Sequence, residues 1–237
     1  MERTGTDRRQ RQREATRAEI RHTARRLLVE SGPEAVSVSA IARAMGLSGP
    51  AIYRYYGSVD DLMGAVVAEL FGELTAAVEQ ARDALDPAAP GDRLLAMSRA
   101  LRSWASTRRA EFRLLFAAPV PEANRRPDSE RRQAGEHFDR VFLREVEALW
   151  AERPFPVPDL DALPAGLRAQ VLAYTERKRT ALPPAAVHVF LTCWTRLYGL
   201  LVMEALDQLA FAYTDPEPVF EAGLAEVGAM LGVSERP

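Results

Sequence analysis

The sequence has one cysteine, Cys193, and three histidines, His22, His137 and His188, in 237 residues. A lone thiol excludes a disulfide framework within the chain and suits a reducing cytoplasm, where the protein is expected to reside. Scattered histidines and one cysteine make no zinc site, so no metal ligands are expected. Lysine is nearly absent, since 30 of the 31 basic residues are arginine. No glycine-rich loop ending in lysine and no dinucleotide fingerprint is present, and Gly46-Leu47-Ser48-Gly49 does not have the spacing of a nucleophile elbow. Carboxylate pairs such as Asp60-Asp61 are explained by helix capping. No catalytic residue, no cofactor and no enzymatic activity is therefore expected. Long apolar runs are missing too. The longest, Leu197 to Met203, lies between Arg196 and Glu204 and is too short to span a bilayer, so no membrane association is expected. The polar, arginine-rich start lacks the apolar core of a secretory signal.

What is there is the composition of an ordinary soluble globular protein, 47% hydrophobic and 27% charged, with length for one large or two small domains. The net charge of −2 hides an asymmetry. Residues 1–60 hold 11 arginines against 7 acids, a net +4, so the rest of the chain carries −6. A basic N-terminal part on an acidic body fits one surface facing a polyanion, and equally a solvated helical domain with a modest excess of charge.

The most informative stretch is Ser37 to Leu62. Ser37 can N-cap a helix whose inner face is Val38, Ile41, Ala42 and Met45. Gly46 takes the left-handed position that ends it, and Leu47 is expected to drop into the core. Ser48 is expected to cap a second helix with Pro50 in its first turn. Ile52 and Tyr56 share the inner face of that helix, leaving Ala51, Tyr53, Arg54 and Tyr55 outside. Gly57-Ser58 stops it, and Ser58 with Asp60-Asp61 starts the next. Helix, short glycine turn and helix is the unit that lays its second helix in a DNA major groove.

The rest of the chain also reads as helices, giving an all-α fold. Residues 1–13, with Arg3, Arg8, Arg9, Arg11 and Arg13, are too polar to bury a face. They are expected to be a flexible basic arm, either following DNA phosphates or remaining a solvated tail. A helix from about Glu14 to Ser31 presents Ile20, Ala24, Leu27 and Leu28 on one face, with Arg17 and Arg21 on the other. A long helix from Ser58 to about Leu85 begins beside the second helix of the motif and is a natural lever. Further helices are expected over Asp92 to Thr107, Ala110 to Ala117, Ser129 to Trp150 and Gly166 to Arg179. The most apolar segment runs from Pro184 to about Tyr213 and is apolar nearly all round, so it must be covered on more than one face. A last helix follows Asp215-Pro216.

Ile20, Ala24, Leu27, Val38, Ile41-Ala42, Gly46-Leu47-Ser48, Ile52-Tyr53-Arg54-Tyr55-Tyr56 and Asp61-Leu62 form an ordered set. Over roughly residues 16–75 it resembles the DNA-binding domain of TetR-family transcriptional regulators. Trp194 to Gly199, WTRLYG, and Phe112 to Pro119, FRLLFAAP, are similar to the subgroup whose ligand domain carries a tryptophan–histidine–glycine signature. Tyr198 stands where that signature has histidine. The resemblance implies a helix-turn-helix domain over residues 14–62, joined by a long helix to a ligand-binding and dimerisation domain over 63–237. It also implies a repressor or activator, repression being the commoner family logic, that binds double-stranded operator DNA as a homodimer through its last two helices, about 184–213 and 216–231, and answers a small-molecule effector.

Carried onto this chain, the resemblance makes Tyr53 and Tyr55 phosphate donors and puts Gly49, Pro50 and Ala51 nearest the base edges. Arg17, Ser37, Ser39, Arg43, Ser48 and Arg54 become further contacts from neighbouring helix ends. Each tyrosine has the alternative of packing with an incidental hydroxyl. Many family members have lysine where Gly49 and Val59 stand, so charge must come from Arg43, Arg54 and the N-terminal arm. Those two missing cations also leave open a small-molecule binding or scaffold protein whose helix-turn-helix no longer reads DNA. Trp104, Phe112, Phe116, Phe138, Phe142, Trp194 and Tyr198 are either a packed core or the lining of a cavity for a mostly apolar ligand.

Overall fold

The structure, a computed structural model, describes residues 3–233, and the side chains of residues 8–233. The described residues form ten α-helices and no strand. They are α1 (Arg3–Ser31), α2 (Val38–Met45), α3 (Gly49–Tyr53), α4 (Val59–Asp83), α5 (Pro90–Thr107), α6 (Arg109–Phe116), α7 (Glu130–Glu152), α8 (Ala165–Lys178), α9 (Pro184–Ala205) and α10 (Glu217–Met230). The chain divides into two compact units, one of Met1–Glu73 with Arg108–Glu136, the other of Leu74–Thr107 with His137–Pro237.

In the first unit α1 packs on α2 and α6, and α2 on α3. Of the side chains the periodicity selects, Ile20, Ala24 and Leu28 of α1, Ile41 and Ala42 of α2 and Ile52 of α3 are buried, together with Leu62, Val66 and Leu70 of α4, while Leu27, Val38 and Met45 are half-buried. α1 begins at Arg3 rather than at Glu14, so residues 3–13 of the expected flexible arm are helical, and its first two residues lie outside the described residues. Its arginines and glutamines are good helix formers, and adding turns to a helix already nucleated on a packed core is far cheaper than starting one. Gln10 and Glu14 bond across one such turn at 3.3 Å. The side chain of Arg3 lies outside the described residues.

In the second unit α9 packs against α5, α8 and α10. Phe138, Val141, Phe142 and Val146 of α7, Val187, Phe190 and Leu201 of α9, and Phe220 and Leu224 of α10 are buried. α9 stops at Ala205, short of the expected Tyr213. Asp207 takes the left-handed conformation (φ 59°), and the Gln208 N–H closes back on the Met203 carbonyl at 2.8 Å. Such a stop is normally written with glycine, and aspartate tolerates it through its short polar side chain. By length and composition α9 is long and apolar enough to cross a membrane, although its unbroken apolar run is short. Glu204 within it is buried in a forked pair with Arg102 of α5, both contacts 3.1 Å.

Candidate nucleic-acid interface

The motif is built from its caps. The Ser37 hydroxyl accepts from the Ala40 N–H at 3.2 Å and so opens α2. Gly46 closes it at φ 66°, ψ 26°, and the Leu47 N–H returns to the Ala42 carbonyl at 2.8 Å. Leu47 is exposed rather than in the core. Backbone bonds close that turn, the Gly46 N–H also returning to the Arg43 carbonyl at 3.3 Å. Ser48 sits at the N-cap of α3 but makes no side-chain capping bond there, which leaves its hydroxyl for another partner. Ser58 does cap α4, accepting from the Asp61 N–H at 3.0 Å, with Asp60 and Asp61 at the positive end of the helix.

α3 is held by two side chains. Ile52 is 1% exposed and Tyr56 4%, and the Tyr56 hydroxyl donates to the Arg17 carbonyl (3.3 Å) and accepts from Arg21 (3.1 Å). Arg21 in turn holds Glu69 of α4 at 2.6 Å. With that anchor fixed, Tyr53 is 53% exposed, its hydroxyl without a partner among the described residues. Ser37, Ser39, Arg43, Ser48, Pro50 and Arg54 are exposed as well, while Gly49, Ala51 and Tyr55 are half-buried rather than fully outward. α3 is only five residues long, so Tyr55 already lies in the turn beyond it. Arg17 is the least free of the expected contacts. Its guanidinium lies 4.8 Å from the centre of the Tyr56 ring and 3.8 Å from Glu130.

An open pocket of about 310 Å³ beside Tyr55 is lined by Arg17, Tyr56, Gly57, Gly64 and the 123–130 segment. Asn124, in the proline-containing segment between α6 and α7, is 6% exposed and donates to the Asp60 carbonyl at 2.9 Å. It straps that segment to the first turn of α4, and no pattern in the sequence marks it. Arg25 was likewise unremarked. It pairs with Glu73 in a fork and reaches the buried Glu111 of α6 at 3.4 Å.

A position-49 cation is tolerated sterically. A Cβ at Gly49 would meet only Val38, at an ordinary 3.8 Å. Gly49→Lys is expected to raise affinity for a cognate duplex several-fold at low salt and to steepen the salt dependence by about one ion per protomer. Fluorescence anisotropy over a salt series measures both, and an unchanged slope would place position 49 away from phosphate.

The seven aromatic residues do not fall in one unit. Phe112 and Phe116 belong to the first, where Phe71–Phe116 and Phe112–Phe116 have ring centres 5.6 and 4.8 Å apart. Trp104, Phe138, Phe142, Trp194 and Tyr198 belong to the second. There Trp194 meets Phe138 at 5.9 Å and Phe142 at 5.6 Å edge to face and stacks on Tyr198 at 6.3 Å. Contiguous helical stripes made all seven look alike, and only the chain's return through α6 separates them. Cys193 is buried, and burial pushes its thiol up to about 11, which keeps it protonated and unreactive. The face of α9 and α10 differs. Leu197, Leu200, Pro218, Val219, Ala222 and Gly223 line an open, largely apolar cleft of about 790 Å³. Just before α10, Phe211 is 86% exposed.

Two family models match the chain. Residues 20–66 match that for bacterial regulatory proteins of the tetR family, and residues 94–227 match a tetracyclin repressor-like C-terminal domain. The chain is 30% identical over 236 residues to the HTH-type transcriptional regulator Rv1816 of Mycobacterium tuberculosis, covering 92% of this chain and 93% of that protein. The regulator Mb1846 of Mycobacterium bovis matches equally. Among solved structures, the regulatory protein SCO4313 is similar with a TM-score of 0.66 at 26% identity, over 92% of this chain and 97% of that one. A tetR-family regulatory protein from Rhodococcus RHA1 shares the fold at a TM-score of 0.56 and 20% identity, over 92% and 98%.

Proposed function

The chain belongs to the TetR family of transcriptional regulators and carries its DNA-binding helix-turn-helix, and from that premise we propose a repressor that grips a roughly palindromic operator as a homodimer and releases it for a small, mostly apolar effector. Its relatives regulate transcription and are not enzymes. The observation that carries the proposal is α3 itself. Ile52 and Tyr56 are locked inside while Tyr53, Arg54 and the Ser48 hydroxyl are presented outward, a reading head with positioning groups ready. Tyr53, Tyr55, Ser37, Ser39, Ser48, Arg43 and Arg54 are its phosphate contacts, and Gly49, Pro50 and Ala51 meet the bases. Arg17 joins them by exchanging Glu130 for a phosphate.

The helix-turn-helix domain spans 14–62, and the ligand and dimerisation domain 63–237, of the tryptophan–histidine–glycine subgroup. The open apolar cleft of α9 and α10 supports a self-complementary dimer face there, because apolar surface of that extent is rarely left to water. The two half-sites then lie about one helical turn, or a multiple of it, apart. The Trp194 group with Trp104 lines the effector site. A ligand there shifts the reading heads only through different affinity for the two states, a coupling of about 1–3 kcal/mol. The regulator works in the cytoplasm.

A gel shift with the gene's own upstream DNA, run beside mass determination of the free and bound protein, tests the reading. Two protomers per palindromic duplex are expected, and failure to retard any fragment at low salt would overturn it. The arginines of residues 8–13 predict a second result. Deleting residues 1–13 is expected to weaken operator binding and flatten its salt dependence, since phosphate contacts release counterions. Identical slopes with and without the segment would remove it from the interface.

A further inference from the structure

The side chains that α3 presents decide which feature of a base pair it can read, an inference that rests on the operator reading above. In a helix-turn-helix the opening residues of the second helix meet the base edges. Here they are Gly49, Pro50 and Ala51. Ile52 faces the core, Pro50 is exposed and Ala51 half-buried, and Arg54 stands exposed at the far end of the helix. Gly49 adds no side chain, and the Cβ it lacks would lie against Val38 of α2 at 3.8 Å.

In the major groove each base pair shows hydrogen-bonding groups and, on thymine alone, a methyl group at C5. Bidentate readout of guanine or adenine takes arginine, lysine, asparagine or glutamine, and the cytosine amino group takes a carboxylate. Gly49, Pro50 and Ala51 carry none of these groups. Pro50 has ring methylenes and no N–H. Ala51 has one methyl, and its N–H already donates to the Ser48 carbonyl at 3.0 Å. The hydroxyls and guanidinium beside them, on Ser48, Tyr53 and Arg54, are those assigned to phosphate. Only apolar contact is left for the bases. We infer that Pro50 and Ala51 read thymine through its C5 methyl, so that the half-site is specified by where methyl groups stand and not by a hydrogen-bonding pattern. It follows that 5-methylcytosine, with the same methyl at the same place, is accepted where thymine is.

Duplexes selected from a random pool by the full chain supply the probe, and their thymidines are then changed in symmetric pairs and measured by fluorescence anisotropy. Deoxyuridine removes the methyl and leaves every hydrogen-bonding group of the pair. At the read positions it is expected to weaken binding about fourfold per methyl, or about fifteenfold for a symmetric pair. A thymine·adenine pair changed to cytosine·guanine is expected to lose affinity, and 5-methylcytosine at the same place to recover most of it. Ala51→Gly and Pro50→Gly are each expected to erase the preference for thymidine over deoxyuridine at one symmetric pair, a ratio that does not depend on how much of a variant is folded. Deoxyuridine within about twofold of thymidine at every position would overturn the inference. So would 5-methylcytosine that binds no better than cytosine, a ratio unmoved in either variant, or retention of duplexes with no sequence enriched. A largest loss at a guanine changed to 7-deazaguanine would give the reading to Arg54 and overturn it too. A chain that retains no duplex at low salt fails the operator reading instead, which keeps the two failures apart.

Discussion

Tyr53→Phe is expected to lower operator affinity about a hundredfold while leaving the protein as stable as before. The Tyr53 hydroxyl has no partner among the described residues and its side chain is 53% exposed, so removing one oxygen disturbs nothing in the fold. Against a phosphate, the same hydroxyl makes a hydrogen bond to a charged acceptor, a class that contributes about 1.5–3 kcal/mol. The lower figure is roughly tenfold per half-site, and a symmetric dimer loses it twice. The change is expected to be uniform across operator variants, because a phosphate contact positions the protein without reading sequence. Fluorescence anisotropy with a cognate duplex, beside a thermal melt, separates the two. Affinity within threefold of the parent would mean that Tyr53 does not touch the backbone.

The largest effect on stability is expected at Glu204. Its carboxylate is buried on α9 and forked onto Arg102, whose other acidic neighbour among the described residues, Glu217, is exposed and 3.7 Å away. Glu204→Leu leaves the half-buried guanidinium without its buried counter-charge, a loss of about 3 kcal/mol. For a chain of this size that is a fall in Tm of roughly 6–12 °C. Replacing both partners, as Arg102→Met with Glu204→Leu, is expected to recover most of it, since the penalty belongs to the stranded charge more than to the lost attraction. Melts at one fixed protein concentration are needed, because a dimer's Tm moves with concentration. A single variant that melts within a degree of the parent would show that water already serves Arg102.

How much of this was legible in the chain depends on whether a feature is local. Ser37 and Gly46 announce the ends of α2 because a cap and a left-handed residue act within one turn, and both stand where the sequence puts them. Ile52 and Tyr56 are both buried as helical spacing suggests, although α3 ends at Tyr53 and Tyr56 lies beyond it. Features made by distant segments were hidden. Arg131 reads as one more surface arginine until the end of α6 is brought over it. Phe112 and Phe116 look like partners of Phe138 and Phe142, yet α6 carries them into the other unit. Leu47 was assigned to the core on hydrophobicity, yet it is exposed and backbone bonds close the turn there. The end of α9 at Asp207 was missed because no glycine marks it.

The strap formed by Asn124 has a consequence for which substitutions the chain can accept. Gly64 lies so close beneath it that a Cβ would stand 2.2 Å from the Asn124 Oδ1. Alanine, the best helix former, is thus disfavoured at position 64 while asparagine occupies position 124. To admit it, the strap must lift, and the Asp60 carbonyl loses its donor. A side chain at position 64 is therefore expected to be accepted only together with a smaller residue at position 124.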